Sequence, residues 1–497
     1  MTAQAGLEER APTFSSLNPA TGELVGEFPV NRGPQVRDVV ARARGAAEWW
    51  GALGWKERRR RLREWRGAIA RRAGQLAQLV HVENGKPLAD AMLEVALAVE
   101  HLEWAAKHAG GVLGRRRVAS GLLMMNERAY VDYQPLGVVA VIGPWNYPVF
   151  TPMGSIAYAL AAGNAVVFKP SEYTPAVGAW LARTFSEAVT DRPVLQTVTG
   201  LGDTGADLAR AGVDKVAFTG STATAKKVMA TCAESLTPVI CECGGKDALV
   251  ADADADLDAA ADAAVWGAMS NAGQTCIGVE RVYAVDSVHD ELVRKITERA
   301  AELRPGEDRT ASFGPITMPD QVGVIERHIA DALQRGGQAA VGGRAAVRPP
   351  YVDPVVLVGV PDDSLALTDE TFGPTITVTR VRDVDEAVEK VGTGRYGLGA
   401  AVFSRKRGME IAERLRCGMV SVGSVVSFAA VPSLPFGGVG DSGFGRIHGP
   451  DGLREFAHAK AVTRQRFRPP LPLASFRRGE RDVKRLETLL HLRFGRR

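Results

Sequence analysis

The chain has 497 residues, of which 45% are hydrophobic and 24% are charged, and its formal net charge is +4. These values are ordinary for a soluble globular protein and argue against a nucleic-acid binder. The five cysteines are too few and too irregular for a disulfide framework. We see neither a signal-peptide pattern nor an apolar run of the ~18 residues that a membrane span requires, so we expect a cytoplasmic protein.

The first part of the chain has the pattern of helices. Residues 35–110 mix apolar and charged residues at helical spacing, and we interpret the run Arg58–Arg61 as a solvated helix face. From residue 137 short apolar runs alternate with helical segments. The runs predicted as strands are Gly137–Gly143, Asn164–Lys169, Leu195–Gly200 and Lys215–Gly220. Buried strands that alternate with helices predict a doubly wound parallel sheet, with functional loops at the carboxyl ends of its strands.

A second alternating region begins near Ala248. It is predicted to contain a helix over Leu257–Asn271, a strand over Arg281–Val285 and a helix over His289–Leu303. The pattern continues through Thr368–Gly423. The sequence therefore predicts two α/β domains, and a cleft between two domains is a preferred place for a cofactor and a substrate.

Cys276 is the candidate nucleophile. It ends the stretch Gly273–Cys276. Gly273 and Gly278 supply the flexible backbone that can expose a side chain in a tight loop. A cysteine nucleophile needs a lowered pKa or a neighbouring base. The alternative for any single cysteine is a buried structural role. Cys241 and Cys243 could be half of a zinc site, but no second pair of cysteine or histidine ligands stands at metal spacing, so no metal is expected.

Glu242 is the candidate base. It follows the apolar strand Thr237–Ile240 and precedes Cys243 and a double glycine. Burial there would raise the pKa of its carboxyl towards neutrality, which suits a base beside an acyl-enzyme. A solvated glutamate at a strand end is the alternative.

Three strand ends carry residues suited to binding. Asn146 lies between two prolines in Pro144–Pro148, where a rigidly held amide can stabilise an oxyanion, although an asparagine also serves turn geometry. At the next strand end, Lys169 could contact ribose or phosphate, and Glu172 could bind an adenosine ribose. The turn Phe218–Ser221 consists mostly of small residues and precedes a helix, and pyrophosphate binds at such helix N-termini.

Taken in order, these segments resemble the motifs of the aldehyde dehydrogenase superfamily. The resemblance covers residues 18 to 465. The segments that carry it are Asn18–Glu23, Glu83–Pro87, Pro144–Pro148, Lys169–Glu172, Phe218–Ser221, Glu242–Lys246, Gly273–Cys276, Glu370–Pro374, Pro435–Gly438 and Ser442–Arg446. Within the superfamily the chain resembles the non-acylating type, and parts of it resemble an actinobacterial branch that includes succinate-semialdehyde dehydrogenases.

The resemblance implies roles for individual positions. Cys276 would be the nucleophile, Glu242 the general base for hydrolysis, and Asn146 with the backbone N–H of Cys276 the oxyanion hole. The implied cofactor contacts are Trp145, Lys169, Glu172, Gly220, Ser221, Glu370 and Phe372. The residues expected to line a substrate tunnel are Tyr147, Trp266 and Phe428.

The implied function is NAD(P)-dependent oxidation of an aldehyde to the carboxylic acid through a cysteine thiohemiacetal and a thioester. Glu172 would repel a 2′-phosphate, which favours NAD as cofactor, with NADP also possible. The tunnel residues suggest an apolar or aromatic aldehyde. The alternatives are a succinate-semialdehyde dehydrogenase, a coenzyme-A-acylating dehydrogenase, and a catalytically silent structural relative. The retained Glu242 argues against acyl transfer to coenzyme A, and the intact Cys276 and Asn146 argue against a silent relative.

The resemblance also implies the architecture. A Rossmann-type cofactor domain would comprise residues 1–114 and 136–241, and an α/β catalytic domain residues 242–432. Residues 115–135 and 456–497 would form an oligomerisation arm and a C-terminal tail in a homodimer or homotetramer. The chain has eleven basic and three acidic residues from position 464 onward. We expect this tail to pack against a subunit partner, with contact to an anionic membrane surface as the alternative.

Overall fold

The computed structural model describes residues 12–468, 471 and 474–495, which form alternating helices and strands. The strands are β1 (Thr13–Leu17), β2 (Leu24–Pro29), β3 (Arg116–Val118), β4 (Glu127–Pro135), β5 (Val138–Ile142), β6 (Ala165–Lys169), β7 (Leu195–Thr197), β8 (Lys215–Thr219), β9 (Val239–Glu242), β10 (Asp247–Ala251), β11 (Val279–Val285), β12 (Gln338–Val341), β13 (Val347–Arg348), β14 (Tyr351–Val352), β15 (Val355–Val358), β16 (Thr375–Val381), β17 (Gly399–Phe403), β18 (Met419–Val422), β19 (Gly443–Phe444) and β20 (Ala457–Gln465).

The helices begin with four long ones, which confirms the helical prediction for residues 35–110. They are α1 (Gly33–Ala52), α2 (Gly54–Arg71), α3 (Ala73–Asn84), α4 (Leu88–Leu113), α5 (Phe150–Ala162), α6 (Pro175–Ala188), α7 (Gly202–Arg210), α8 (Thr222–Ala233), α9 (Leu257–Met269), α10 (Asp286–Ala301), α11 (Pro319–Gln334), α12 (Leu365–Thr368), α13 (Val384–Gly392), α14 (Gly408–Arg414), α15 (Ser427–Ala430), α16 (Gly449–Glu455) and α17 (Glu480–Phe494). Short 3₁₀ helices lie at Ser270–Gly273, Arg344–Ala346 and Gly440–Ser442.

The described residues form two compact units. The larger comprises Met1–Val112 and Pro135–Ala457 as far as they are described, and it contains a six-stranded and a seven-stranded sheet. The smaller comprises the described parts of Leu113–Gln134 and His458–Arg497. Strands of the three-stranded sheet β20-β4-β3 and helix α17 belong to it. No helix in the described ranges is both long enough and apolar enough to span a bilayer.

The six-stranded sheet has the order β19-β9-β8-β5-β6-β7. The strands from β9 to β7 are parallel, and β19 pairs antiparallel with β9. β5 and β6 are buried along their whole length, because a parallel sheet is covered on both faces. The four strands predicted here are confirmed as β5 to β8. The chain reverses its direction of travel across the sheet between β5 and β8, and ligands bind at the carboxyl edge of such a switch point.

The seven-stranded sheet has the order β12-β15-β16-β11-β10-β17-β18, with only β12 antiparallel to its neighbour. The predicted strand and helices of this region are confirmed as β11, α9 and α10, although α9 ends at Met269 and a 3₁₀ turn follows. β9 ends at Glu242 and β10 begins at Asp247. A short segment therefore joins the carboxyl edge of the first sheet to the amino edge of the second.

The prediction that Arg58–Arg61 form a solvated face is wrong for Arg58. Its side chain is buried, donates to the Gly51 carbonyl oxygen at 2.9 Å and lies over the Trp55 ring. Burial lowers the pKa of Arg58 to about 10. An arginine can take such a place because its long stem packs while its guanidinium finds backbone acceptors.

Candidate active site

A cleft of about 780 Å³ opens where the loops after β5, β6, β8 and β9 meet the loops before β11 and β16. The predicted site residues that line it are Trp145, Asn146, Lys169, Glu172, Gly220, Ser221, Glu242, Cys276, Glu370 and Phe372. The fold thus gathers the proposed catalytic and cofactor-binding positions around one cavity. No group of three or more His, Cys, Asp or Glu side chains in the described ranges is arranged to hold a metal ion.

The structure does not gather the three predicted tunnel residues around this cleft. The Tyr147 hydroxyl lies 2.9 Å from Thr275 Oγ1. Trp266 on α9 is 47% exposed. Phe428 is buried near Asp247 and Ile277. The role of these three positions in a substrate tunnel therefore stays a prediction.

The loop that presents Cys276 has an unusual backbone. Asn271, Ala272 and Gly273 are all left-handed, with φ of 51°, 56° and 69°. Glycine is required at position 273, because a Cβ atom there would lie 2.0 Å from the Gly373 carbonyl oxygen. The Gln274 side chain fixes the loop: it donates to the Asn271 carbonyl oxygen at 2.9 Å and accepts from the Thr317 N–H at 2.8 Å. The cysteine is therefore carried by a rigid loop.

The electrostatic surroundings of Cys276 favour a neutral thiol in the resting protein. Burial raises its pKa, and the carboxyls of Glu370, Asp247 and Glu242 raise it further. A cysteine nucleophile needs either a lowered pKa or a base, and the first condition is not met here. The thiol therefore has to give up its proton as the sulfur attacks.

Glu242 is the last residue of β9 and is 3% exposed. Neither of its carboxyl oxygens has a hydrogen-bond partner within the part of the chain that the structure describes. Burial raises its pKa well above the ordinary value, Arg446 lowers it and Glu455 raises it. A carboxyl with this environment holds a proton more strongly than a solvated one, which makes its ionised form a stronger base.

Asn146 is buried in the loop between β5 and α5. Its side-chain Nδ2 donates to the Gln274 carbonyl oxygen at 2.9 Å, which ties it to the loop of Cys276. An amide nitrogen carries two N–H groups. One is used in this bond, and the other has no partner among the described residues; Asn146 and Cys276 both line the cleft.

The other end of the cleft has features that bind a dinucleotide. Ser221 caps the twelve-residue helix α8 by accepting from the Thr224 N–H at 3.2 Å, and this helix N-terminus faces the cleft. Such an N-terminus favours a phosphate group. Lys169 Nζ lies 3.6 Å from Glu172 Oε2, so a cation and a carboxylate stand side by side at the end of β6.

The loop before β16 closes the cleft from the second sheet. Glu370 accepts a hydrogen bond from the Gly245 N–H at 2.9 Å. Burial, and after it the negative charge of Glu280, raises the pKa of the Glu370 carboxyl to about 8. The Phe372 ring meets the Trp145 ring edge-on, with centroids 5.6 Å apart. The two rings come from loops of different sheets, so the aromatic contact bridges the cleft.

Several lining residues were missed by sequence reasoning. Lys227 and Thr224 lie one turn apart on α8, and the helical period after Ser221 could have found them. Asp247, two residues after the double glycine, was also missed; it does not line the cleft but is buried, with an oxygen that has no partner among the described residues. Its packing depends on Gly245 and Gly399, since a Cβ atom at either position would lie within 2.7 Å of its carboxyl. No sequence signal marks that contact.

His448 belongs to a buried aromatic cluster. Its ring lies 4.0 Å from the ring of His101, centroid to centroid, and it also packs on Phe150, Tyr158 and Phe436. Burial lowers its pKa well below the ordinary value, and His101 lowers it further. His448 is therefore a neutral packing residue at neutral pH.

Comparisons with known proteins agree with this geometry. A family model described as "Aldehyde dehydrogenase family" matches residues 7–462. The chain is 35% identical to a glutarate-semialdehyde dehydrogenase of Pseudomonas aeruginosa, over 91% of the chain and 94% of the relative. It is 33% identical to a succinate-semialdehyde dehydrogenase (NADP(+)) of Escherichia coli, over 89% and 92%. A 4,4'-diapolycopene aldehyde oxidase of Methylomonas is 34% identical, over 92% and 87%. The solved lactaldehyde dehydrogenase of Escherichia coli superposes with a TM-score of 0.88 at 29% identity, over 92% and 96%.

Proposed function

The chain belongs to the aldehyde dehydrogenase family, and we propose that it oxidises its aldehyde through a covalent bond to Cys276. The reaction converts an aldehyde to a carboxylic acid with a nicotinamide dinucleotide as acceptor. The observation that carries the proposal is the common cleft of Cys276, Asn146 and Glu242, one face of which ends at a helix N-terminus suited to pyrophosphate. A nucleophile, an oxyanion donor and a base thus border the same space.

The proposed steps follow from the positions of these groups. The Cys276 sulfur adds to the carbonyl carbon as its proton passes to solvent water, and the oxyanion accepts hydrogen bonds from the second Asn146 N–H and from the backbone N–H of Cys276. A bound nicotinamide supplies the acceptor for the hydride, and a thioester to Cys276 results. Glu242 then takes a proton from water as the water attacks the thioester. The carbon–sulfur bond breaks, and the acid leaves.

The cleft residues fit a dinucleotide. We propose that the α8 N-terminus at Ser221 holds the pyrophosphate, Lys169 and Glu172 the adenosine ribose, and Glu370 and Phe372 the nicotinamide ribose and ring. Glu172 disfavours a 2′-phosphate, so NAD is proposed as the preferred cofactor and NADP as a weaker one. Related enzymes named for NADP(+) show that the family also uses the phosphorylated form.

Replacing Glu172 by serine is expected to shift the preference towards NADP. Removing a carboxylate that is 36% exposed lifts a partly screened repulsion from the 2′-phosphate. The ratio of kcat/KM for NADP to that for NAD should rise on the order of tenfold. Steady-state kinetics with both dinucleotides measures the ratio. The control Glu172→Asp keeps the charge and should leave it nearly unchanged, and an equal shift in both variants would contradict the charge argument.

Two substrate assignments are supported by different observations. Relatives named for succinate and glutarate semialdehyde support an aldehyde with a terminal carboxylate. The cleft lining contains the lysines Lys169 and Lys227 and, among the described residues, no arginine. We therefore propose a general aldehyde dehydrogenase as the first assignment and a succinate-semialdehyde dehydrogenase as the second. A panel of aliphatic, aromatic and carboxylated aldehydes, each assayed with NAD and NADP, separates them by kcat/KM.

Water is the proposed acyl acceptor because Glu242 is in the cleft. An assay of the product with and without coenzyme A tests this proposal. Free acid formed at the same rate in both supports it. A rate that depends on coenzyme A, with a coenzyme-A thioester as product, would establish the acylating alternative.

The domain roles and the assembly are also proposals. Residues 1–114 and 136–241 would bind the cofactor and residues 242–432 would carry the catalytic cysteine. Residues 115–135 and 456–497 would mediate a homodimer or homotetramer, which is supported by the exposed apolar side chains Leu123, Met125 and Phe494. Light scattering of the purified protein measures the state. A cytoplasmic location is proposed as well, supported by five free cysteines.

A further inference from the structure

Two side chains from the Glu83–Pro87 segment bond to the loop that carries Asn146. Asn84 Nδ2 donates to the Trp145 carbonyl oxygen at 3.0 Å, and Lys86 Nζ donates to the Asn146 carbonyl oxygen at 2.8 Å. These carbonyls belong to the two peptide groups on either side of the Asn146 Cα atom. Because both peptide planes are fixed, the direction in which the Asn146 side chain leaves the backbone is fixed as well.

Lys86 is part of a buried ion pair. Its ammonium lies 2.5 Å from Glu94 Oε2, and both side chains are almost completely buried, at 0% and 1% exposure. The other oxygen, Glu94 Oε1, accepts the N–H groups of Val149 and Phe150 at 2.7 and 3.0 Å. These are the start of α5, which has no side-chain cap of its own. The pair therefore holds the loop of Asn146 at one end and caps the following helix at the other.

A buried ion pair of this kind is weak evidence for a role in stability. The desolvation of two charges offsets most of their attraction, and well-packed apolar residues often serve the fold equally well. Burial lowers the pKa of Lys86, while the Glu94 carboxylate raises it. The bonds that the pair makes all converge on the segment from Asn146 to Phe150. This convergence indicates that the pair serves the position of that segment.

We propose that Lys86 and Glu94 are positioning residues that hold the Asn146 amide where the oxyanion forms. The inference rests on the proposed role of Asn146 as oxyanion donor. Neither Lys86 nor Glu94 is among the residues that line the cleft, so both act through Asn146. The amide has one N–H committed to the Gln274 carbonyl oxygen, and the direction of the other depends on the fixed backbone.

The test removes the pair as a unit, so that no unpaired charge is left inside the protein. In the variant Lys86→Met/Glu94→Gln we expect kcat to fall about 10²-fold with little change in KM, because a misplaced donor weakens only transition-state binding. Asn146→Ala should lower kcat by about 10²–10³-fold. The variant that combines all three substitutions should be no slower than Asn146→Ala alone, because the positioning effect passes through the amide that is then absent.

Further readouts separate positioning from general damage. Alkylation of Cys276 by iodoacetamide needs no oxyanion donor, so its rate in the Lys86→Met/Glu94→Gln variant should match that of the wild type. Arg407→Met/Asp252→Asn is a control, since Arg407 and the buried Asp252 form an ion pair at 3.2 Å and neither residue lines the cleft. The control variant should lower kcat only slightly. When it is combined with Asn146→Ala, the fold-change in kcat should equal the product of the two separate fold-changes.

The outcomes distinguish the failure of each idea. If Asn146→Ala lowers kcat and the pair variant does not, the positioning role is overturned. It is also overturned if the effects of the pair and of Asn146→Ala multiply, because the pair then acts independently of the amide. A normal kcat in Asn146→Ala refutes the proposed oxyanion donor, and this inference fails with it. Lys86→Gln/Glu94→Gln, which leaves no buried charge and keeps a polar side chain at both positions, gives the same comparison if the first pair variant does not fold.

Discussion

The variant Cys276→Ala is expected to lose essentially all turnover. Without the sulfur no covalent bond to the aldehyde forms, and the loss of a nucleophile costs on the order of 10⁴–10⁶-fold in kcat. Hydrolysis of a p-nitrophenyl ester, which needs the same sulfur and no cofactor, should disappear together with aldehyde oxidation. Steady-state assays of both reactions, with dinucleotide binding followed by fluorescence, measure the effect. Dinucleotide affinity should remain within a few-fold of the wild type.

Cys417→Ala is the matched control for this experiment. The Cys417 thiol is partly buried, donates to the Met419 carbonyl oxygen at 3.3 Å and does not line the cleft. Its removal should leave both activities close to normal. Retained ester hydrolysis in Cys276→Ala would assign the chemistry to another nucleophile and would contradict the proposed mechanism.

Glu242→Gln is expected to stop the reaction after its first half. Water can no longer lose a proton to the carboxylate, so hydrolysis of the thioester should slow by about 10²–10⁴-fold. The hydride leaves before water attacks, and a single turnover should still reduce the dinucleotide. Rapid mixing should therefore show a burst close to one reduced dinucleotide per subunit, followed by a slow rate. Mass spectrometry should find the acyl group on Cys276.

The same residue predicts the pH dependence of the wild type. Burial raises the pKa of Glu242 well above its ordinary value, so the carboxyl becomes protonated while the pH is still above the usual range for a glutamate. A protonated carboxyl cannot act as a base, and kcat should fall as the pH is lowered through the raised pKa. This acid limb should be missing from the Glu242→Gln profile. A steady-state rate in that variant within a few-fold of normal, without an acyl adduct, would argue against the role of Glu242.

Much of the fold was predictable from patterns in the sequence. The strands β5, β6 and β8 appear as largely apolar runs because a parallel sheet buries both of its faces. The positions of Asn146, Lys169 and Ser221 follow from the same pattern, since each lies at or just after the carboxyl end of one of these strands. Cys276 was identified as the candidate nucleophile because Gly273 and Gly278 flank it and because Glu242 is a candidate base elsewhere in the chain.

The raised pKa of Glu242 was predicted from the sequence, but the protonation state of Cys276 was not predictable. The pKa of Cys276 depends on carboxyls from positions 242, 247 and 370, which meet only after folding. The burial of Arg58 likewise depends on a backbone carbonyl at Gly51 in the preceding helix. Lys86 lies between α3 and α4 and bonds to the loop before α5. The sequence motif around Lys86 does not indicate which carbonyl oxygen its ammonium group binds. The sequence pattern shows which side chains are present near the site. The hydrogen-bond and charge partners of each side chain are determined by tertiary packing.

The left-handed turn before Cys276 has a consequence for a newly made chain. An alanine in this conformation costs about 1–2 kcal/mol, so position 272 does not adopt it without outside support. That support comes from Pro315 and Thr317, which bond to Gln274 and are translated later than the cysteine. A nascent chain that ends before them lacks these two bonds to the loop of position 276. The loop can therefore take its folded conformation only after residues 315–317 have been made.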